Sequence, residues 1–154
     1  MRCVLMRMAV VLPYHGCTKI SPGDAMPQAL MQRRILIIDD NRDAADLLAE
    51  VLSLHGHVTT VGYGGREGLS AVIDFRPDLV FLDLGMPELD GYQVAVLIRQ
   101  MHQIRQPQLI AFTALSNDEA KARVIAAGFD LHLTKPADFN VLLDTVLKSP
   151  QPTL

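Results

Sequence analysis

Cysteine is nearly absent from this chain: Cys3 and Cys17 are the only two, both lie ahead of the patterned part, and no C-x-x-C spacing occurs. A disulfide framework and a thiolate metal site are thereby excluded, and a reducing, cytoplasmic setting is the expectation. Basic clusters are missing too, and with a formal net charge of -3 the chain lacks the electrostatic footprint for nucleic acid or anionic lipid. A partner protein or a small ligand is expected instead. Nor does any stretch approach the roughly 20 apolar residues that span a bilayer. The opening MRCVLMRMAVVLP is interrupted by Arg7, which leaves an apolar run only from Met8 to Leu12 and no small-residue cleavage site after it, so export is not expected.

What is present is a globular composition, 49% hydrophobic and 20% charged, in 154 residues. That length accommodates one ordinary domain around one core, and the composition says it folds alone. Residues 1–32 carry no helical or strand period and hold turn formers in Pro13, Gly16, Ser21, Pro22, Gly23 and Pro27. They read as a poorly ordered extension, either a start site placed too early, since Met26 and Met31 stand just before the first strand, or a docking tail, which the missing amphipathic period disfavours. The domain proper is expected over 33–148, with 149–154 as a Pro-containing tail.

From Arg34 onward, short apolar runs alternate with helical patterns, the signature of repeated strand-helix-strand units. Strands are expected at Ile35 to Asp39, Val58 to Val61, Leu79 to Asp83, Leu109 to Thr113 and Leu131 to Thr134. Apolar stripes predict helices through Leu47, Leu48 and Val51; Leu69, Val72 and Ile73; Val94, Leu97, Ile98 and Met101; and Phe139, Leu142, Leu143 and Val146. The helix before Gly128 differs: a Ser116-Asn117-Asp118-Glu119 capping sequence opens it, but its alanines offer little to bury, so it is expected to be weakly anchored. ILII, LVFL and LIAF are continuously apolar, as central strands covered on both faces must be, while VTTV and LHLT suit the edges. The expected fold is therefore α/β, a flavodoxin-like doubly wound sheet of five parallel strands in the order 2-1-3-4-5 with helices on both faces.

In such sheets the chemistry sits at the carboxyl ends of the strands, here Asp39, Asp40, Asp83, Thr113 and Lys135. Singly, each has a structural explanation as a cap, a strand former or a surface charge. Together they do not, because three carboxylates at the ends of adjacent strands raise one another's pKa unless a cation lies among them. Oxygen donors without Cys or paired His suit a hard ion such as Mg²⁺. Lys135 and the Thr113 hydroxyl then offer a charge and a hydrogen bond to a phosphoryl group.

On these residues, in ILIIDDN, LVFLDLGMPELDGY, AFTA and LTKP, the chain from about Arg34 to about Lys148 resembles the receiver domain of two-component response regulators. The separations from Asp83 to Thr113 and to Lys135 match the family's. The resemblance implies that Asp83 is the phosphoacceptor, that Asp39 and Asp40 form the acidic pocket, and that Asp40 and Asp83 ligate Mg²⁺ together with the backbone carbonyl of Gly85. It further implies that Thr113 is the switch hydroxyl and that Lys135 is the phosphate-binding lysine, and it raises the otherwise low expectation of a cis Lys135-Pro136 bond. Where the family usually places Tyr or Phe as a rotating switch, this chain holds His132, so aromatic gating is in question there.

The expected function is a phosphoacceptor switch, not an enzyme in its own right, that assists its own phosphorylation and dephosphorylation. Its implied partners are a sensor histidine kinase or histidine phosphotransfer protein and a downstream target reached by docking; no output domain is expected after Leu147, hence no direct nucleic acid binding, and no membrane contact. Two rivals stay open. A haloacid-dehalogenase-like phosphatase shares the Asp nucleophile, Mg²⁺, Thr and Lys, but needs an acid where Gly85 stands. A receiver-fold binding module that is not phosphorylated is the other.

Overall fold

The computed structural model describes residues 32–114 and 117–150; the N-terminal extension read in the sequence lies outside them, as do Ser116 and most of the C-terminal tail. Ten elements alternate strictly: β1 (Arg34–Ile38), α1 (Arg42–Leu54), β2 (Val58–Gly62), α2 (Gly65–Phe75), β3 (Leu79–Leu82), α3 (Gly91–Gln100), β4 (Gln108–Thr113), α4 (Asp118–Ala126), β5 (Leu131–Thr134) and α5 (Phe139–Lys148). The strands form one parallel sheet in the order β2-β1-β3-β4-β5. The flavodoxin-like order expected from strand composition is the observed one, and the reason is visible in burial: all of β3 and residues 35–38 of β1 are buried, whereas β5 has no buried residue.

Because side chains alternate along a strand, the sheet feeds two cores. Leu36, Ile38, Val80, Leu82, Leu109 and Ala111 point to the face covered by α2, α3 and α4, where they meet Val72, Val94, Ile98 and Val124. Ile35, Ile37, Leu79, Phe81 and Ile110 point the other way, against Ala45, Leu48 and Leu52 of α1 and Leu142 and Val146 of α5. Each fully buried Leu, Ile, Val or Phe contributes on the order of 1.5–3 kcal/mol relative to exposure, so these positions dominate the packing energy.

The helices hold two surprises. In α1 the apolar stripe was expected through Leu47, but Leu47 is 63% exposed and the buried residues are Ala45, Leu48, Ala49 and Leu52. Helix α4 does bury little, only Ala120 and Val124, yet its N-cap is Asn117, whose side chain accepts the Ala120 N–H at 2.7 Å. At the opposite edge of the sheet Arg33 is buried and donates to the carbonyls of Ser149 and Pro150, fastening the end of α5 to the start of β1. No helix among the described residues is long and apolar enough to cross a membrane.

Candidate functional site

Parallel register brings the acidic residues together. Ile38 pairs with Leu82, so Asp39 and Asp83, each one residue further on, emerge side by side at the carboxyl edge of the sheet. Backbone bonds fix both: Asp39 N–H donates to Gly62 O at 3.1 Å and Asp83 N–H to Ile38 O at 2.9 Å. Both residues lie just past the strands rather than inside them, a one-residue difference from the sequence reading. Asp39 is buried, Asp40 exposed and Asp83 partly buried, and carboxylate oxygens of all three lie within 4.8 Å of one another.

The fourth and fifth strands deliver the remaining groups in the same way. Thr113 ends β4 and is 2% exposed. It pairs with Thr134, and its carbonyl accepts the Lys135 N–H at 2.8 Å, which seats Lys135 beside it. The Lys135-Pro136 bond is cis, in keeping with the resemblance. The lysine Nζ donates to Asp39 Oδ2 at 2.5 Å, stands 3.5 Å from Asp83 Oδ1, and lies 5.1 Å from the centre of the Phe112 ring. Sequence spacing could place Lys135 near the carboxylates but could not say that its shorter contact is to Asp39.

One ammonium does not balance three carboxylates. Burial pushes the Asp83 carboxyl above the usual carboxylate range; the Asp39 charge adds to that, while Lys135 and the Leu84 N–H pull it back. A hard cation among these oxygens relieves the excess, and the donor set fits one: carboxylates, with no thiolate or imidazole in the group. Gly85 adjoins it, since a side chain built there would begin 3.8 Å from Asp83 Oδ2.

Two contributors escaped the sequence reading. The Asn41 N–H donates to Asp39 Oδ1 at 2.9 Å while its side chain caps α1, which aims the Asp39 carboxylate. Gly91 opens α3 so close to the phosphoacceptor candidate that a Cβ there would lie 2.1 Å from the Asp83 carbonyl oxygen. The only advance signal was the Asp90-Gly91 pair, which reads as a turn without revealing what the glycine faces. His132 lies mid-β5, half-exposed and opposite Ala111, off the carboxyl edge that carries the cluster.

Residues 35–147 match the family model of the response regulator receiver domain. Among curated proteins, an uncharacterized 14.6 kDa protein of Leptolyngbya boryana is 35% identical over 72% of this chain and 85% of its own length. The DNA-binding dual master transcriptional regulator RpaA of a Synechocystis strain is 33% identical over 73% of this chain; the chain spans about half of RpaA, 47% of its length. Among solved structures, the chemotaxis protein CheY4 of Vibrio cholerae superposes with a TM-score of 0.71 over 75% of this chain and 97% of its own; at 24% identity that likeness shows the fold.

Proposed function

The chain belongs to the response regulator receiver domain family of two-component systems, and from that premise we propose that it accepts a phosphoryl group on Asp83. The supporting observation is the convergence of Asp83, Lys135, Thr113 and the Asp39-Asp40 pair at one end of the sheet. The phosphoryl donor is a phosphohistidine of a sensor kinase or phosphotransfer protein. An Asp83 carboxylate oxygen attacks phosphorus, the P–O bond forms as the P–N bond breaks, and the departing imidazole keeps the electron pair. Asp40, Asp83 and the Gly85 carbonyl would hold Mg²⁺, which would supply positive charge to the phosphoryl oxygens.

The chain's own groups do the positioning. Lys135, now shared between Asp39 and Asp83, is within reach of an oxygen added to Asp83, and its charge is worth more there because the site is partly dry. Thr113 stands beside it on the neighbouring strand to donate its hydroxyl to the same group. Donor access has a visible surface: an apolar groove of about 760 Å³ runs from Lys135 and Ala114 past Leu47, Val51 and Phe139, continuous with the site. Exposed Leu47 there gives a protein partner something to cover.

A phosphatase of the haloacid-dehalogenase type lacks its acid here, because Gly85 occupies that position. Intact mass after treatment with acetyl phosphate and Mg²⁺ tests the proposal: one base-labile phosphoryl group is expected on the wild type and none on Asp83→Asn. A group retained by that variant overturns the assignment, and an unmodified wild type favours the non-phosphorylated binding module.

A further inference from the structure

Helix α4 is held unevenly. Its C-terminal end is riveted: Arg99 of α3 donates through Nε to Gly128 O at 2.8 Å and through its guanidinium to Asp130 at 2.7 Å, and Ala127 and Phe129 are buried. Along its length it buries only Ala120 and Val124, and Ile125 is 75% exposed. One further side-chain contact ties it to α3, the Arg123 guanidinium stacked 4.1 Å over the Tyr92 ring. That ring packs against the core, and its hydroxyl oxygen is buried with no hydrogen-bond partner among the described residues. Tyr92 also follows Gly91, the residue pressed against the Asp83 carbonyl.

We propose that Tyr92 and Arg123 form a latch that holds α4 in its resting position, with the buried Tyr92 hydroxyl, which has no partner among the described residues, setting that latch to open easily. Ring and guanidinium attract by a cation–π contact, which is weak at an exposed arginine. The buried hydroxyl opposes it, because an unpaired buried donor loses its water without compensation. When α4 swings about its riveted end, Arg123 leaves the ring and water reaches the hydroxyl. The resting state is thus stabilised by one half of the pair and destabilised by the other half, so a small displacement near Asp83, passed through Gly91, is enough to shift it. Only the link to phosphorylation rests on the phosphoacceptor reading; the latch itself is a property of the unmodified chain.

Amide hydrogen exchange of residues 118–126 in the full unmodified chain tests it, with α1 amides as an internal reference. Tyr92→Phe keeps the ring and removes the buried hydroxyl, and exchange in α4 slows about tenfold, one buried unsatisfied group's worth. Arg123→Gln keeps the hydroxyl and removes the stacking cation, and exchange there quickens several-fold. Opposite changes confined to α4 support the latch. Changes of the same sign, no change, or equal changes in α1 overturn it. In a second arm, beryllofluoride with Mg²⁺ mimics the phosphoryl group: Tyr92→Phe weakens its apparent binding and Arg123→Gln tightens it. If the wild type does not bind beryllofluoride, the phosphoacceptor reading fails and the exchange comparison alone decides the latch.

Discussion

Replacing Asp83 with Asn makes the metal-free protein more stable, although it removes the residue on which the proposed chemistry depends. Oxygens of Asp39, Asp40 and Asp83 lie within 4.8 Å of one another, and Lys135 stands 3.5 Å from Asp83. At those separations each carboxylate pair repels by ~1 kcal/mol if fully screened and by ~3.5 kcal/mol at an effective dielectric of ~20, against an attraction to Lys135 only about a third larger than one such repulsion. Two repulsions therefore outweigh one attraction, by about 0.5–2 kcal/mol, before the cost of burying the charge is added. The sign agrees with the titration behaviour. A carboxyl held above its ordinary value in the fold costs nothing below the unfolded value, and stability falls as pH rises from there through the raised folded value, so the cost lies on the alkaline side of that window. Asn keeps an oxygen for the Leu84 N–H and sheds the charge. Thermal melting in EDTA at pH 7.5 and low salt then gives Asp83→Asn a midpoint about 3–8 °C above wild type. Added Mg²⁺ raises the wild-type midpoint and closes much of that gap. A variant that melts at or below wild type in EDTA refutes the electrostatic argument.

Three other outcomes follow from the same geometry. Lys135→Ala removes a cation from the pocket, so Mg²⁺ affinity, followed by NMR shifts around Asp83, holds or rises while coupling to the phosphoryl group is lost; loss of Mg²⁺ binding contradicts that role. Gly91→Ala sets a Cβ 2.1 Å from the Asp83 carbonyl oxygen with backbone on both sides of the clash, and urea denaturation shows a loss of about 1–3 kcal/mol or more. His57 is buried, and its Nδ1 accepts the Arg33 N–H at 3.4 Å, so burial first and the neighbouring Arg33 second hold its pKa below the usual imidazole value. The stability this confers is complete above the unfolded value of about 6.5 and is lost as pH falls from there toward the lowered folded value; His57→Gln flattens that part of the stability-pH curve, and an unchanged slope contradicts the assignment.

Sheet order was legible because it is written in composition: a strand covered on both faces has no room for polar side chains, and VTTV and LHLT carry them while ILII and LVFL do not. The five candidate site residues were legible for a related reason, since each stands at the carboxyl end of an expected strand. The helices were less so. Periodicity admits Leu47 to the stripe of α1 as readily as Ala45, yet α1 lies close enough to the sheet for Ala45 and Ala49 to be buried, and Leu47 is left at the groove beside Lys135. Capping chemistry carries the same ambiguity, because Ser116 and Asn117 are both good caps and only backbone geometry selects Asn117. Contacts between distant residues carry no local signature: Lys135 against Asp39, Gly91 against Asp83 and Arg123 against Tyr92 follow from register and helix placement, and none has a pattern in the chain around it.

The carboxyl edge of the sheet is where the chain departs from the rule that neighbouring buried charges are balanced. Asp130, by contrast, meets the Arg99 guanidinium at 2.7 Å and the Leu109 N–H at 2.7 Å, and Asp78 accepts the Arg34 N–H at 2.9 Å. Those carboxylates have partners and stiffen their loops. Asp83 shares its one cation with Asp39, which holds it the more closely. Its stability deficit in the resting fold has the same electrostatic origin as the attraction for a cation, so a well-satisfied Asp83 is also one with less reason to bind metal. Strengthening its pairing inside the protein therefore weakens the site in proportion. The receiver fold accommodates the deficit because β1 and β3, buried on both faces, anchor the backbone on either side of it.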